Sequence, residues 1–188
     1  MAWNTEVFEA VQALTGISAV DSLMMFLAEY LVVLIPLSLI YLWFQDREGK
    51  NDSSLVFAAT LTGIATAYIF SIFYSHQNPS VTYNTIIAAD PSENAFPSHH
   101  TTTVFSAAFA LMIRKRKQLG YLMLVAAVVT GFARIYVGEH WPVDILGAIV
   151  ASLSAVGVAY YGDRFTGLLD PVYSFSEKIE EEIESRFF

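Results

Sequence analysis

The sequence predicts an all-α fold: a polytopic membrane helix bundle of about five transmembrane helices, with amphipathic helices at both termini. Three observations predict it. Hydrophobic residues make up 55% of the 188-residue chain, and its mean hydropathy is +0.48. Charged residues make up only 15%, against roughly 25% in an average soluble domain. Apolar runs of about 20 residues recur between short polar stretches rich in turn formers, the signature of repeated membrane crossing.

The elements follow in order. The first stretch, "MAWNTEVFEAVQALTG", places Trp3, Val7, Phe8, Val11 and Leu14 at helical spacing, with Glu6, Glu9 and Gln12 opposite. It reads as an amphipathic helix over about 3–15, lying at the membrane surface. It has no basic n-region, so a cleaved signal is not expected. Membrane helices are expected at about 22–44, 54–75, 99–113, 118–137 and 142–162. The third is short, roughly 22 Å at 1.5 Å per residue, so its first turn should sit inside protein rather than lipid. A cytoplasmic C-terminal segment, 163–188, places Val172, Phe175, Ile179, Ile183 and Phe187 on one helical face. Residues 1–188 read as a single domain.

Charge is segregated. Five spans put Arg47, Lys50, Arg114, Lys115, Arg116, Lys117, Arg164, Lys178 and Arg186 on one side, nine of the ten basic residues. The positive-inside bias makes that side cytoplasmic. The tenth, Arg134, lies at the other end, with His76, His99, His100 and His140, and with Asp90, Glu93, Glu139 and Asp144. The net charge of −8 owes much to the tail "EKIEEEIES", a solvated helix face. The basic face that nucleic acid requires is missing. With no cysteine in the chain, there is neither a disulfide framework nor a thiolate.

Depth sharpens the cluster. His100 precedes Arg114 by 14 residues, and Arg134 follows Lys117 by 17. At 1.5 Å per residue, both lie roughly 21–26 Å above the basic loop. His140 and Asp144 begin the last helix, one turn apart on one face. Ser98, His100, Arg134, His140 and Asp144 are therefore expected to converge in one outward-facing pocket.

These residue types suit a phosphate. An arginine at membrane depth is costly and marks function or a buried partner, and its fork matches phosphate oxygens. The start of the third helix offers free N–H groups and a positive dipole end, with Ser98 as its N-cap. Two histidines supply the two roles of phosphoester hydrolysis, attack on phosphorus and protonation of the leaving oxygen. A carboxylate one turn from His140 can fix its tautomer.

The stretches "FPSHH" and "ARIYVGEHWPVDILG" resemble the second and third signatures of the type-2 phosphatidic acid phosphatase family, P-S-x-H and S-R-x5-H-x3-D. Here they read Pro97-Ser98-His99-His100, and Ala133-Arg134 followed by His140 and Asp144. The five-span layout most resembles that family's bacitracin-resistance type of undecaprenyl-diphosphate phosphatase. The resemblance implies a metal-independent, cofactor-free hydrolase acting on a lipid phosphate or diphosphate within membrane lipids. It implies His140 as the nucleophile that becomes a phosphohistidine, Asp144 as its orienting carboxylate, and His100 as acid and then base. Arg134 and Ser98 would hold the phosphate. The family's first signature, K-x6-R-P, is altered to Ser71 and Asn78 before Pro79. Asn78 and His99 are therefore candidates for the rest of the phosphate cradle, and His99 or His76 for replacing the missing charge.

Other readings stay open from the residues. The substrate could be phosphatidic acid or phosphatidylglycerol phosphate. A zinc hydrolase could use His99, His100, His140 and Asp144, although adjacent helical residues point about 100° apart. A membrane protein that binds lipid phosphate without turnover is the third reading. Glu139 and Asp90 read as solvated charges, and His76 as a loop histidine.

Overall fold

The computed structural model describes residues 2–87, 94–167, 169–175 and 178. Asp90, Glu93, Ile179, Ile183 and Phe187 lie outside them. The described residues include seven α-helices, α1 (Ala2–Gln12), α2 (Ser18–Tyr30), α3 (Leu34–Trp43), α4 (Arg47–Phe73), α5 (His99–Ile113), α6 (Lys117–Val137) and α7 (Pro142–Thr166), and residues 170–175 are helical as well. Four stretches are long and apolar enough to cross a membrane: Ser18–Trp43, α4, α6 and α7. The chain is a multi-pass membrane protein.

Residues 18–43 were expected as one uninterrupted helix from about 22. The structure instead breaks them with a 3-10 turn at Leu31–Val33. Pro36 explains the break. It lacks an N–H, and its ring clashes with the carbonyl four residues earlier, that of Val32. Helix α4 starts seven residues before the expected 54. Asp46 caps it, its Oδ1 accepting from the Gly49 N–H at 2.6 Å, a strong N-cap. The extra turns carry Asp52, which is buried against Arg116 Nε at 2.6 Å and Arg114 Nε at 3.3 Å. Helix α7 runs to Thr166, four residues past its expected end, and stops at Gly167 with φ +61°.

Helix α5 has the bounds read from the sequence and is the centre of the bundle, packed against α4, α6 and α7. Thr101, Thr102, Val104, Ala107, Ala108 and Leu111 on it are fully buried. Its first turn therefore lies within protein, as expected of so short a span. Alanines at 107, 108, 110, 148, 151 and 155 bring α5 and α7 close, as small residues do between membrane helices. Ile72, Phe73, Val158 and Phe165 point outward as a lipid-facing surface.

The N-terminal helix does more than lie on a surface. Phe8 is fully buried between Tyr83 and Trp141, with ring centroids at 5.0 and 4.9 Å. Gln12, expected on the polar face, turns inward. Its Nε2 donates to the carbonyls of Ile135 and Tyr136 at 3.0 and 2.9 Å. Asn4 Oδ1 accepts from the Val143 N–H at 2.9 Å. Helix α1 thus caps the end of α6 and the start of α7 together.

Candidate active site

The α6–α7 connection is short because Gly138 closes α6 in the left-handed region at φ +90°. A Cβ there would overlap Thr85, so position 138 requires glycine on both counts. Asp144, in the first turn of α7, accepts from the Trp141 N–H through Oδ2 at 2.8 Å. Pro142 starts the helix where no N–H is needed. These devices set Arg134 at the end of one helix and His140 and Asp144 at the start of the next.

His140 is held at both ring nitrogens. Its Nδ1 lies 2.9 Å from the Ala95 carbonyl and 3.5 Å from Asp144 Oδ2. A carbonyl can only accept, so Nδ1 carries the proton. Nε2 then bears the lone pair, and Arg134 Nη2 lies 3.3 Å from it. Ser98 caps α5, its Oγ accepting from the Thr101 N–H at 3.5 Å and donating to Thr101 Oγ1 at 3.0 Å. Its N–H reaches the Asp144 carbonyl at 3.4 Å, joining the start of α5 to the start of α7. Ser98 and Asp144 are fully buried, and Arg134 and His140 each keep only 8% exposure. Of the sequence-derived set, Ser98, Arg134, His140 and Asp144 thus meet at one end of the bundle, and His100, in the first turn of α5, lies within electrostatic range of Arg134 and His140.

Around this set the structure adds carboxylates. Glu139, read from sequence as a solvated charge, is instead 2.5 Å from Arg134 Nη2. Turning back at Gly138 points its side chain at the arginine rather than at water. Glu29 of α2 lies 3.6 Å from Arg134 Nη1 and 3.9 Å from His100 Nε2. It escaped notice because it belongs to an apolar stretch more than 60 residues from the signatures. His76, read as a loop histidine, also joins the site: its Nε2 is 2.8 Å from Asp144 Oδ1.

The two candidate cradle residues are placed differently. The His99 ring packs at a tilt of 44° against Tyr68 of α4, 4.7 Å between centroids, within electrostatic range of His140 and Arg134. Its buried Nε2 has no hydrogen-bond partner among the described residues. Asn78 is buried before Pro79, and its Oδ1 accepts from Ser80 Oγ at 2.6 Å. Among the described residues, no three His, Asp or Glu side chains are grouped so as to hold a metal ion. A cavity of about 630 Å³ lies at the opposite end of the bundle, lined by Tyr41, Gln45, Lys115, Arg116 and Lys117, and none of the site residues borders it.

The chain matches the PAP2 superfamily over residues 52–166. It is 34% identical to undecaprenyl-diphosphatase BcrC of Bacillus subtilis, over 96% of this chain and 93% of that one. It is 30% identical to the putative undecaprenyl-diphosphatase YbjG of Escherichia coli, over 70% of this chain and 68% of that one. In fold it resembles the crystal structure of LpxE from Aquifex aeolicus, with a TM-score of 0.71 and 21% identity over 86% of this chain and 96% of that one. With the family match covering more than half its length and including every helix that carries the site apart from α2, the chain belongs to the PAP2 superfamily.

Proposed function

We propose that this membrane phosphatase hydrolyses a polyprenyl diphosphate, undecaprenyl diphosphate by analogy with its relatives, to the monophosphate and orthophosphate. His140 Nε2 attacks the terminal phosphorus. The bond from phosphorus to the bridging oxygen breaks, and the lipid monophosphate leaves. His100 gives that oxygen its proton. A water molecule then attacks the phosphohistidine, His100 takes its proton, and orthophosphate departs as the His140 lone pair returns.

The observation that carries the reading is the state of His140. Its proton is held at Nδ1 by Ala95, and its lone pair is aimed beside the Arg134 fork. A phosphoryl group arriving at Nε2 therefore meets the guanidinium that stabilises its charge. Ala95 and Asp144 stabilise the positive ring of the phosphohistidine. Ser98, the N–H groups opening α5, His99 and Asn78 complete the cradle in this reading. The groups that bind phosphate, attack it and shuttle the proton are all supplied by the chain, side chains and backbone N–H groups together, so the reaction proceeds without a metal. The pocket faces the extracytoplasmic side, opposite the basic loops.

Phosphate release from undecaprenyl diphosphate by the purified chain, with chelator and no added metal, tests the reading. Phosphatidic acid and phosphatidylglycerol phosphate serve as competing substrates. His140→Ala and His100→Ala should each lower kcat by about a thousandfold or more. Release at the parental rate from either variant would overturn the mechanism. Faster release from phosphatidic acid would overturn the substrate.

A further inference from the structure

His76 has no part in the reaction just described, yet it makes the shorter of the two histidine contacts to Asp144. Its Nε2 lies 2.8 Å from Oδ1, whereas His140 Nδ1 lies 3.5 Å from Oδ2. On its other side, His76 Nδ1 lies 3.1 Å from the Gln77 carbonyl oxygen. Both ring nitrogens lie within 3.1 Å of an oxygen: Nδ1 hydrogen-bonds to a carbonyl and Nε2 pairs with a carboxylate charge. A neutral imidazole has one proton and would press a lone pair against one of these oxygens; the imidazolium has no lone pair to press.

The surroundings support the charged form. Asp144 is fully buried, and a buried carboxylate needs a counter-charge. The groups facing His76 are Asp144 on α7, with His140 on the same carboxylate, and the rings of Tyr74 and Phe96 at 5.3 and 6.4 Å. Its backbone is pinned too. Its N–H donates to Asn94 Oδ1 at 3.1 Å, and its carbonyl accepts from the Ala95 N–H at 3.0 Å. Ala95 is the residue whose carbonyl holds His140, so the segment carrying His76 also braces the nucleophile's other anchor.

We propose that His76 is a positioning residue that acts as an imidazolium, holding Asp144 Oδ1 so that Oδ2 stays turned to Trp141 and His140. This rests on the phosphatase reading above. Burial pushes the His76 pKa down, but the contact with Asp144 and its charge more than offset this and leave it raised above 6.5. A raised pKa means that the pair is complete below 6.5 and is lost as pH rises through the higher folded value. Once His76 is neutral, the buried carboxylate loses its counter-charge, and Oδ2 is no longer held where it orients the His140 ring.

The test compares phosphate release from a lipid diphosphate by the full-length parent, His76→Gln and His76→Lys, from about pH 5 to 9. His76→Gln should lower kcat about tenfold near pH 6, with KM changed by less than about twofold. His76→Lys, charged throughout the range, should recover more than about half of the parental kcat near pH 8. A His76→Gln variant with the parental kcat and pH profile overturns the proposal, and so does His76→Lys performing no better than His76→Gln. Histidine NMR gives a readout independent of turnover. The His76 ring should titrate above 6.5 in the parent and lower in Asp144→Asn; titration at or below 6.5 in the parent overturns the imidazolium. If the ring titrates as expected but the parent releases no phosphate, the phosphatase reading is what fails.

Discussion

Arg134 is gripped by Glu139 and Glu29. Both carboxylates occupy the guanidinium edges that a phosphate would use, so substrate must displace them. Each acts as a place-holder that satisfies a buried cation and then competes with the incoming anion. Glu139→Gln weakens the competitor while keeping its shape. KM for the lipid diphosphate should fall about threefold to tenfold, with kcat little changed, when steady-state phosphate release is measured. A rise in KM would show that Glu139 assists binding. The residues legible in the sequence were those whose spacing fixes their height and face, namely Ser98, His100, Arg134, His140 and Asp144. Glu29 was illegible, and His76 legible only as a loop histidine or a substitute charge and not as the partner of Asp144, because each reaches the site from a separate stretch, and helical spacing relates positions only within one helix. Glu139 was misread because its direction depends on the left-handed turn at Gly138 rather than on its distance from Arg134 in sequence.

At the scale of elements, the long helices were legible and their ends were not. Apolar periodicity continues regardless of caps, so it could not show that Asp46 starts α4 early or that Pro36 splits the first span. Helix α1 is the instructive case. Its amphipathic pattern was plain, but Gln12 and Asn4 use the polar positions to cap α6 and α7 from outside. Backbone carbonyls at a helix end need partners, and here a distant helix supplies them beside the residues that carry Arg134 and His140. Gln12→Ala removes two hydrogen bonds to partly buried carbonyls. It should cost about 1–3 kcal/mol, seen as a lowered melting temperature in detergent. It should also lower kcat more than it raises KM, because the substrate-contacting side chains remain while their mutual placement loosens. Loss of thermal stability with unaltered kinetics would confine α1 to a purely structural role.

At the scale of the whole molecule, the chain keeps two kinds of charge at two ends. Arg47, Lys50, the run from Arg114 to Lys117, and Arg164 mark the start of α4, the α5–α6 turn and the end of α7. Antiparallel packing brings these to one end, where Asp52 anchors two of the arginines and Tyr173 takes a hydrogen bond from Arg114 at 3.2 Å. The histidines and Arg134 occupy the other end. In the proposed orientation the positive-inside bias puts the basic end in the cytoplasm, which predicts that the site faces outward. Because the chain has no cysteine, this can be read with single introduced thiols that disturb neither charge pattern. Thr82, near the site, and Gln118, beside the basic turn, are both exposed. In intact cells, a membrane-impermeant maleimide should label Thr82→Cys, and it should label Gln118→Cys only after lysis. Phosphate release from both variants, checked in parallel, ensures that the labelled protein is folded. The reverse pattern would turn the site to the cytoplasm, and with it the leaflet from which the lipid diphosphate must be drawn.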